Sequence, residues 1–190
     1  MTATLNDDRL STLAGIWDAA WDELDVAVQT RRGPWRHPVL ATIGVVGPEV
    51  RTVVLRLADK QRAAFEVYTD IRTAKVTEIS ADPRVGLVAW DPDILLQFRV
   101  RGTASVTAGA PVAERWDTLP PAARASYAAI VVPGERSVGD DQRTPTPDAR
   151  HFAVVEITAS EIELLHLGEE RHRRGVFRRT DGWNGNWVQP

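Results

Sequence analysis

Apolar residues return every third or fourth position near the start of the chain, as Leu10, Leu13, Ile16, Trp17, Trp21, Leu24 and Val28. This period predicts an amphipathic helix over about residues 6–29, capped by Asn6, Asp7 or Asp8 and ended by Arg31-Arg32-Gly33-Pro34. Trp17 and Trp21 read as the residues that dock it. The pattern then shortens. Val39–Val46 is an apolar, β-branched run, Gly47-Pro48-Glu49 breaks it, and Val50–Ala58 resumes as its hairpin partner. Within Val50–Ala58, Arg51, Val53, Leu55 and Leu57 share one face, and Thr52, Val54, Arg56 and Ala58 the other. Phe65–Thr69, Arg84–Trp90 and Ile94–Val106 follow as strands, with a short helix from about Thr73 to Ser80 inserted before Asp82-Pro83.

Pro111–Leu119 and Pro120–Ile130 read as two short helices, and 131–150 as a loop rich in Pro, Gly, Asp, Ser and Thr, long enough for a lid or a dimer arm. Phe152–Ile157 and Ile162–Leu167 read as strands parted by a turn. An arginine-rich strand follows, and Trp183-Asn184-Gly185-Asn186-Trp187 turns into a final short one. Meandering strands with few helices predict a mainly β fold, a closed or partly closed β-barrel with peripheral helices, in one domain over 1–190.

Composition narrows the chemistry. Of 190 residues, 43% are hydrophobic and 26% charged, which suits a chain that buries a core. A net charge of -3 gives no general attraction to nucleic acid or membrane, and no run reaches the ~20 apolar residues that span a bilayer. Cysteine is absent, which excludes disulfides, thiolate nucleophiles and cysteine-bound zinc, and suits a cytoplasmic location. There is no G-x-G-x-x-G or Walker sequence, and no His/Asp/Glu set with metal-ligand spacing, so no metal is expected. The arginines from Arg171 to Arg179 interleave with aromatics, but no RNA-binding motif accompanies them.

Three positions stand out. Arg51 is a charge in the first turn of an apolar strand, either a solvated strand end or a ligand for an anion. Lys75 falls in the first turn of a helix that follows a strand, where it opposes the helix dipole unless it faces an anion; Thr73 sits beside it. Gln97 lies among Leu95, Leu96, Phe98 and Val100, and needs a hydrogen-bond partner from protein or ligand.

The pieces RTVVLR (Arg51–Arg56), FEVYTD (Phe65–Asp70), TAK (Thr73–Lys75), ADPRVGLVAW (Ala81–Trp90) and LQFRVRG (Leu96–Gly102) resemble, in that order and spacing, the pyridoxamine 5′-phosphate oxidase-like family of FMN-binding split β-barrels. The later pieces ERWDTLPPAARASY and LLHLGEERHRRGVF resemble the branch described as pyridoxamine 5′-phosphate oxidase-related, FMN-binding. The resemblance implies a homodimer with FMN at its interface. It implies Arg51 and Lys75 as ligands of the FMN phosphate, with Thr73 adding a hydroxyl. Thr52, Val53, Val54 and Arg56 complete the segment that supports the flavin, Tyr68 and Thr69 line it, and Gln97 reaches it. Arg174 is assigned to replace a lost cofactor contact.

The chain also departs from the true oxidase. Ala74-Lys75 stands where the oxidase has Arg-Lys, Arg56 where it has lysine, His166 where it has tryptophan, and Val176 replaces the last arginine of a C-terminal Arg-x-His-x-Arg-Phe pattern. Tyr127 and Ser137 echo the substrate-phosphate residues at a different spacing. The resulting expectation is an FMN-dependent oxidoreductase of unassigned substrate, with no catalytic acid or base singled out and pyridoxamine 5′-phosphate not expected as substrate. The alternatives are a split barrel that holds F420 or haem, and a non-enzymatic flavin-binding module.

Overall fold

A computed structural model describes residues 8–136, 146–169 and 171–190. Nine strands form one antiparallel sheet: β1 (Val39–Ile43), β2 (Pro48–Thr52), β3 (Leu55–Asp59), β4 (Ala64–Asp70), β5 (Arg84–Asp91), β6 (Leu96–Ala108), β7 (Phe152–Leu167), β8 (His172–Arg178) and β9 (Gly185–Val188). The main path runs β2-β1-β5-β6-β7-β4-β3, and β8 and β9 continue from β7. The sheet is curved rather than closed, which is the architecture of a split barrel.

β7 organises the whole. Along one edge it pairs with β6 from end to end. Along the other, its first half pairs with β4 and its second half with β8. The turn expected between Ile157 and Ile162 is therefore not there. Thr158-Ala159-Ser160-Glu161 carries a bulge instead, opposite Arg101-Gly102, and the strand bends without stopping. Gly102 is required at that bend, because a Cβ on it would lie 2.1 Å from the Thr158 carbonyl oxygen.

Val50–Ala58 is likewise not one strand. β2 pairs with β1 and β3 with β4, and Val53-Val54 forms the step between them. The continuous face alternation expected for this run fails at the step. The apolar pattern hid it, because apolar residues continue through Val53-Val54-Leu55 and no Gly or Pro marks the break. The Val53 amide donates to the Pro38 carbonyl, and the Arg36 guanidinium donates to that of Leu55, so the step is tied down at both ends.

Helix α1 (Leu13–Thr30) begins later than the pattern predicts. Its cap is Thr12, whose hydroxyl accepts from the Gly15 amide, and not an upstream acidic residue; Asn6 and Asp7 lie outside the described residues. Ile16, Ala19, Ala20, Trp21, Leu24 and Ala27 are buried. Trp21 stacks on Phe65, and Trp17 packs on Phe177 and Trp183, which confirms the docking role. Each large side chain buried this way contributes about 1.5–3 kcal/mol. The inserted helix, α2, spans Ala74–Ala81. The two helices expected over 111–130 are shorter, α3 (Ala113–Asp117) and α4 (Pro121–Arg124), with single 3-10 turns beside them. They cover a second apolar cluster of Val112, Leu119, Tyr127, Phe152 and Val154. The loop expected over 131–150 falls partly outside the described residues. No described helix is long and apolar enough to cross a membrane.

Candidate functional site

The end of β4 delivers the chain into α2, and four of the expected residues meet at that junction. Thr69 and Thr73 place their hydroxyl oxygens 3.2 Å apart. The Lys75 ammonium donates to the Thr69 hydroxyl at 3.0 Å. Thr73 occupies the N-cap of α2 but does not cap it; its hydroxyl donates to the Asp70 carbonyl at 2.8 Å. Asp70 is occupied by Arg72, which bonds both carboxylate oxygens. The first-turn N–H groups of α2 thus have no side-chain acceptor from their own N-cap.

Arg51 reaches the same region from β2. Its guanidinium donates to Glu78 of α2 at 2.8 Å and to the buried Thr42 hydroxyl, which also bonds Glu78. Glu78 and Thr42 are the partners that sequence reasoning missed. Glu78 lies one helical turn beyond Lys75, a spacing that in retrospect points both at one place. Lys75 is held below its ordinary value, first by burial and then by the positive charge of Arg51, against the pull of Glu78 and Asp70. The two cations therefore share one electrostatic neighbourhood. With one carboxylate between them, the cluster keeps an excess positive charge, and a phosphate group fits that donor set.

The remaining expected residues divide into two further groups. Thr52 is exposed at the end of β2, and Val53 and Val54 form the step. Arg56 on β3 lies over the Tyr68 ring at 5.5 Å. Tyr68 is raised by burial first, then by Glu66. Gln97 and Arg174 lie away from the Lys75 cluster, on the outward face of the sheet. They stand on either side of Leu165 in one cross-strand row, with Trp90 beyond Gln97. Arg174 is ion-paired to Glu163 at 2.7 Å, and Glu163 also holds Arg99. Arg178 is likewise paired, with Glu161. Much of the C-terminal arginine run therefore forms a charge ladder along the sheet. His166 is buried on β7. Tyr127, pushed up to about 12 by burial, packs edge-on against Phe152 in the second apolar cluster. Ser137 lies outside the described residues.

The family profile described as "Pyridoxamine 5′-phosphate oxidase, FMN-binding domain" matches residues 18–108, the span that carries Arg51, Thr69, Thr73 and Lys75. A pyridoxine/pyridoxamine 5′-phosphate oxidase of Thermosynechococcus vestitus is 31% identical over 169 residues, 80% of this chain and 77% of that one. The chain belongs to the pyridoxamine 5′-phosphate oxidase family. A second oxidase of the family, from Kineococcus radiotolerans, is 31% identical over 163 residues, 75% of this chain and 71% of that one. The fold agrees. A pyridoxamine 5′-phosphate oxidase-related, FMN binding protein of Nostoc punctiforme superposes with a TM-score of 0.78 at 22% identity, covering 92% of this chain and 97% of its own. PhzG of Burkholderia lata, solved with tetrahydrophenazine-1-carboxylic acid, superposes with a TM-score of 0.73 at 18% identity, covering 91% of each chain.

Proposed function

We propose that the chain is an FMN-binding flavoprotein and an oxidoreductase of the pyridoxamine 5′-phosphate oxidase-related type. The observation that carries this reading is the junction of β4 and α2, where Arg51, Lys75, Thr69 and Thr73 converge within the span matched by the family's FMN-binding domain. Arg51 and Lys75 bind the phosphate of the cofactor, Thr73 and the first turn of α2 add neutral donors, and the Val53-Val54 step supports the ring. When bound, the flavin supplies the redox chemistry; the protein binds it, orients it and excludes water.

A homodimer with the cofactor at its interface completes the reading. Its support is an uncovered apolar face. Val50 on β2 is 65% exposed, Ile43 on β1 42%, and Val45 and Val46 at the hairpin tip are fully open.

The test is the absorbance spectrum and mass of the molecule released when the purified protein is denatured. FMN in near-stoichiometric amount is the expected result. A Soret band, or the mass of a deazaflavin, would overturn the cofactor assignment. Turnover with a reductant and a candidate acceptor then separates an enzyme from a flavin-binding module.

A further inference from the structure

β4 ends on a carboxylate, one residue after Thr69. Asp70 is only 6% exposed, and its charge bears on Lys75 in α2. Burial pushes its carboxyl up, but the hydrogen bonds and the charge of Arg72 outweigh burial, and the group is held below its ordinary value. Asp70 is therefore ionised at neutral pH. It is a fixed negative charge beside the place where Thr69, Thr73 and Lys75 gather.

The charge balance of the junction depends on this residue. Arg51 and Lys75 supply two cations, and Glu78 and Asp70 supply two carboxylates. Those four cancel, and a cancelled set gives an anion no net attraction. Arg72 shifts the balance. Its amide and its Nε donate to Asp70 Oδ1 at 2.8 and 3.0 Å, and its Nη2 donates to Oδ2 at 2.6 Å. The same Nη2 donates to the Ala129 carbonyl at 2.9 Å, beyond α4. The neighbouring Ile71 amide donates to the His151 carbonyl at 2.8 Å, so the turn that carries Arg72 is pinned from two other parts of the chain. A planar fork seated on both carboxylate oxygens is a strong, directional pair. Asp148, the other acid whose charge bears on Arg72, is already paired with Arg150 at 2.7 Å.

We propose that Arg72 is a positioning residue for the cofactor phosphate: locked onto Asp70 and Ala129, it cancels the Asp70 charge and leaves the junction one net positive charge for the anion. It acts through Asp70 and does not hold the phosphate itself. The inference rests on the flavoprotein reading and adds a condition to it, that Arg51 and Lys75 bind the anion only while Arg72 covers Asp70.

FMN is titrated by fluorescence quenching into the flavin-free wild type, Arg72→Gln, and Arg72→Gln/Asp70→Asn. Arg72→Gln bares the Asp70 charge and is expected to weaken FMN about tenfold. The double variant removes both charges, leaves the junction as positive as before, and returns affinity to within about threefold of wild type. Salt screens repulsion and does not mend a damaged fold. The deficit of Arg72→Gln against wild type should therefore shrink between about 0.01 M and about 1 M salt, as the Debye length falls from ~30 Å to ~3 Å. Wild-type affinity in the single variant, a double variant as weak as the single, or a deficit that salt leaves unchanged overturns the proposal. Should Arg72→Gln not fold, the double variant decides alone: near-wild-type affinity supports the role, and a loss of about tenfold overturns it. A wild type that binds no FMN sinks the cofactor reading and this inference with it; a wild type that binds FMN while the variants miss these outcomes sinks this inference alone.

Discussion

Lys75 is a half-buried cation that donates to the Thr69 hydroxyl, and the positive charge of Arg51 bears on it. Both burial and Arg51 push its proton off early, so its titration lies below the ordinary 10.5. A bound phosphate does the reverse and holds the proton on. FMN affinity is therefore at its full value below the depressed titration of Lys75, and falls as pH rises through it. Titrating FMN by fluorescence quenching at increasing pH measures that fall. Lys75→Arg, which stays charged, flattens the curve; an unchanged alkaline fall in that variant removes Lys75 from the site. Arg51→Ala and Lys75→Ala each delete a charge-assisted contact worth about 1.5–3 kcal/mol, so each weakens FMN retention by roughly ten- to a hundredfold. Thermal melts of the flavin-free variants check that the loss is not one of folding. At this scale the sequence was informative where one residue contradicted its surroundings. Arg51 in an apolar strand and Lys75 at a helix start both announced themselves. Thr42, Glu78 and Arg36 did not, because each gains its meaning from a partner far along the chain, at Arg51 or Leu55.

Elements were legible by period but not by boundary. The run from Ile94 to Val106, apolar at nearly every second position, reads as a strand, and β6 occupies Leu96–Ala108. The run Val50–Ala58 has the same texture, yet it divides, because β2 and β3 are pulled to different neighbours. Thr158–Glu161 errs the other way: its polar residues imitate a turn, while backbone pairing with β6 carries β7 through. Gly102 is the residue that makes the latter possible. Gly102→Ala drives a methyl into the Thr158 carbonyl, where backbone on both sides leaves little room to yield. The expected cost is about 1–3 kcal/mol, read as a lower urea midpoint at unchanged slope. A midpoint equal to wild type contradicts this account of the bulge.

Across the whole molecule, the mainly β architecture followed from composition and strand count, whereas the sheet's edges and uncovered faces did not, since these depend on what pairs with what. The apolar face around Val50 and the hairpin tip belongs to this scale. A charged residue there costs the isolated chain little, because Val50 is largely in solvent, but it is expensive in a closed apolar contact. Val50→Glu is thus expected to convert a dimer to a monomer in sedimentation with little change in the circular dichroism of the chain. Flavin content should fall alongside, because the proposed cofactor position lies between subunits. A wild-type protein that sediments as a monomer contradicts the interface from the start.

β7 gives both of its edges away, one to β6 throughout and the other to β4 and then β8. No register can slip and no half can peel off without breaking this one stretch of backbone. Its amides should therefore be the last to take up deuterium, opening only when the entire domain does. The Thr69–Lys75 junction at the end of β4 and the C-terminal strands would then melt as a single cooperative unit, although they lie far apart along the chain.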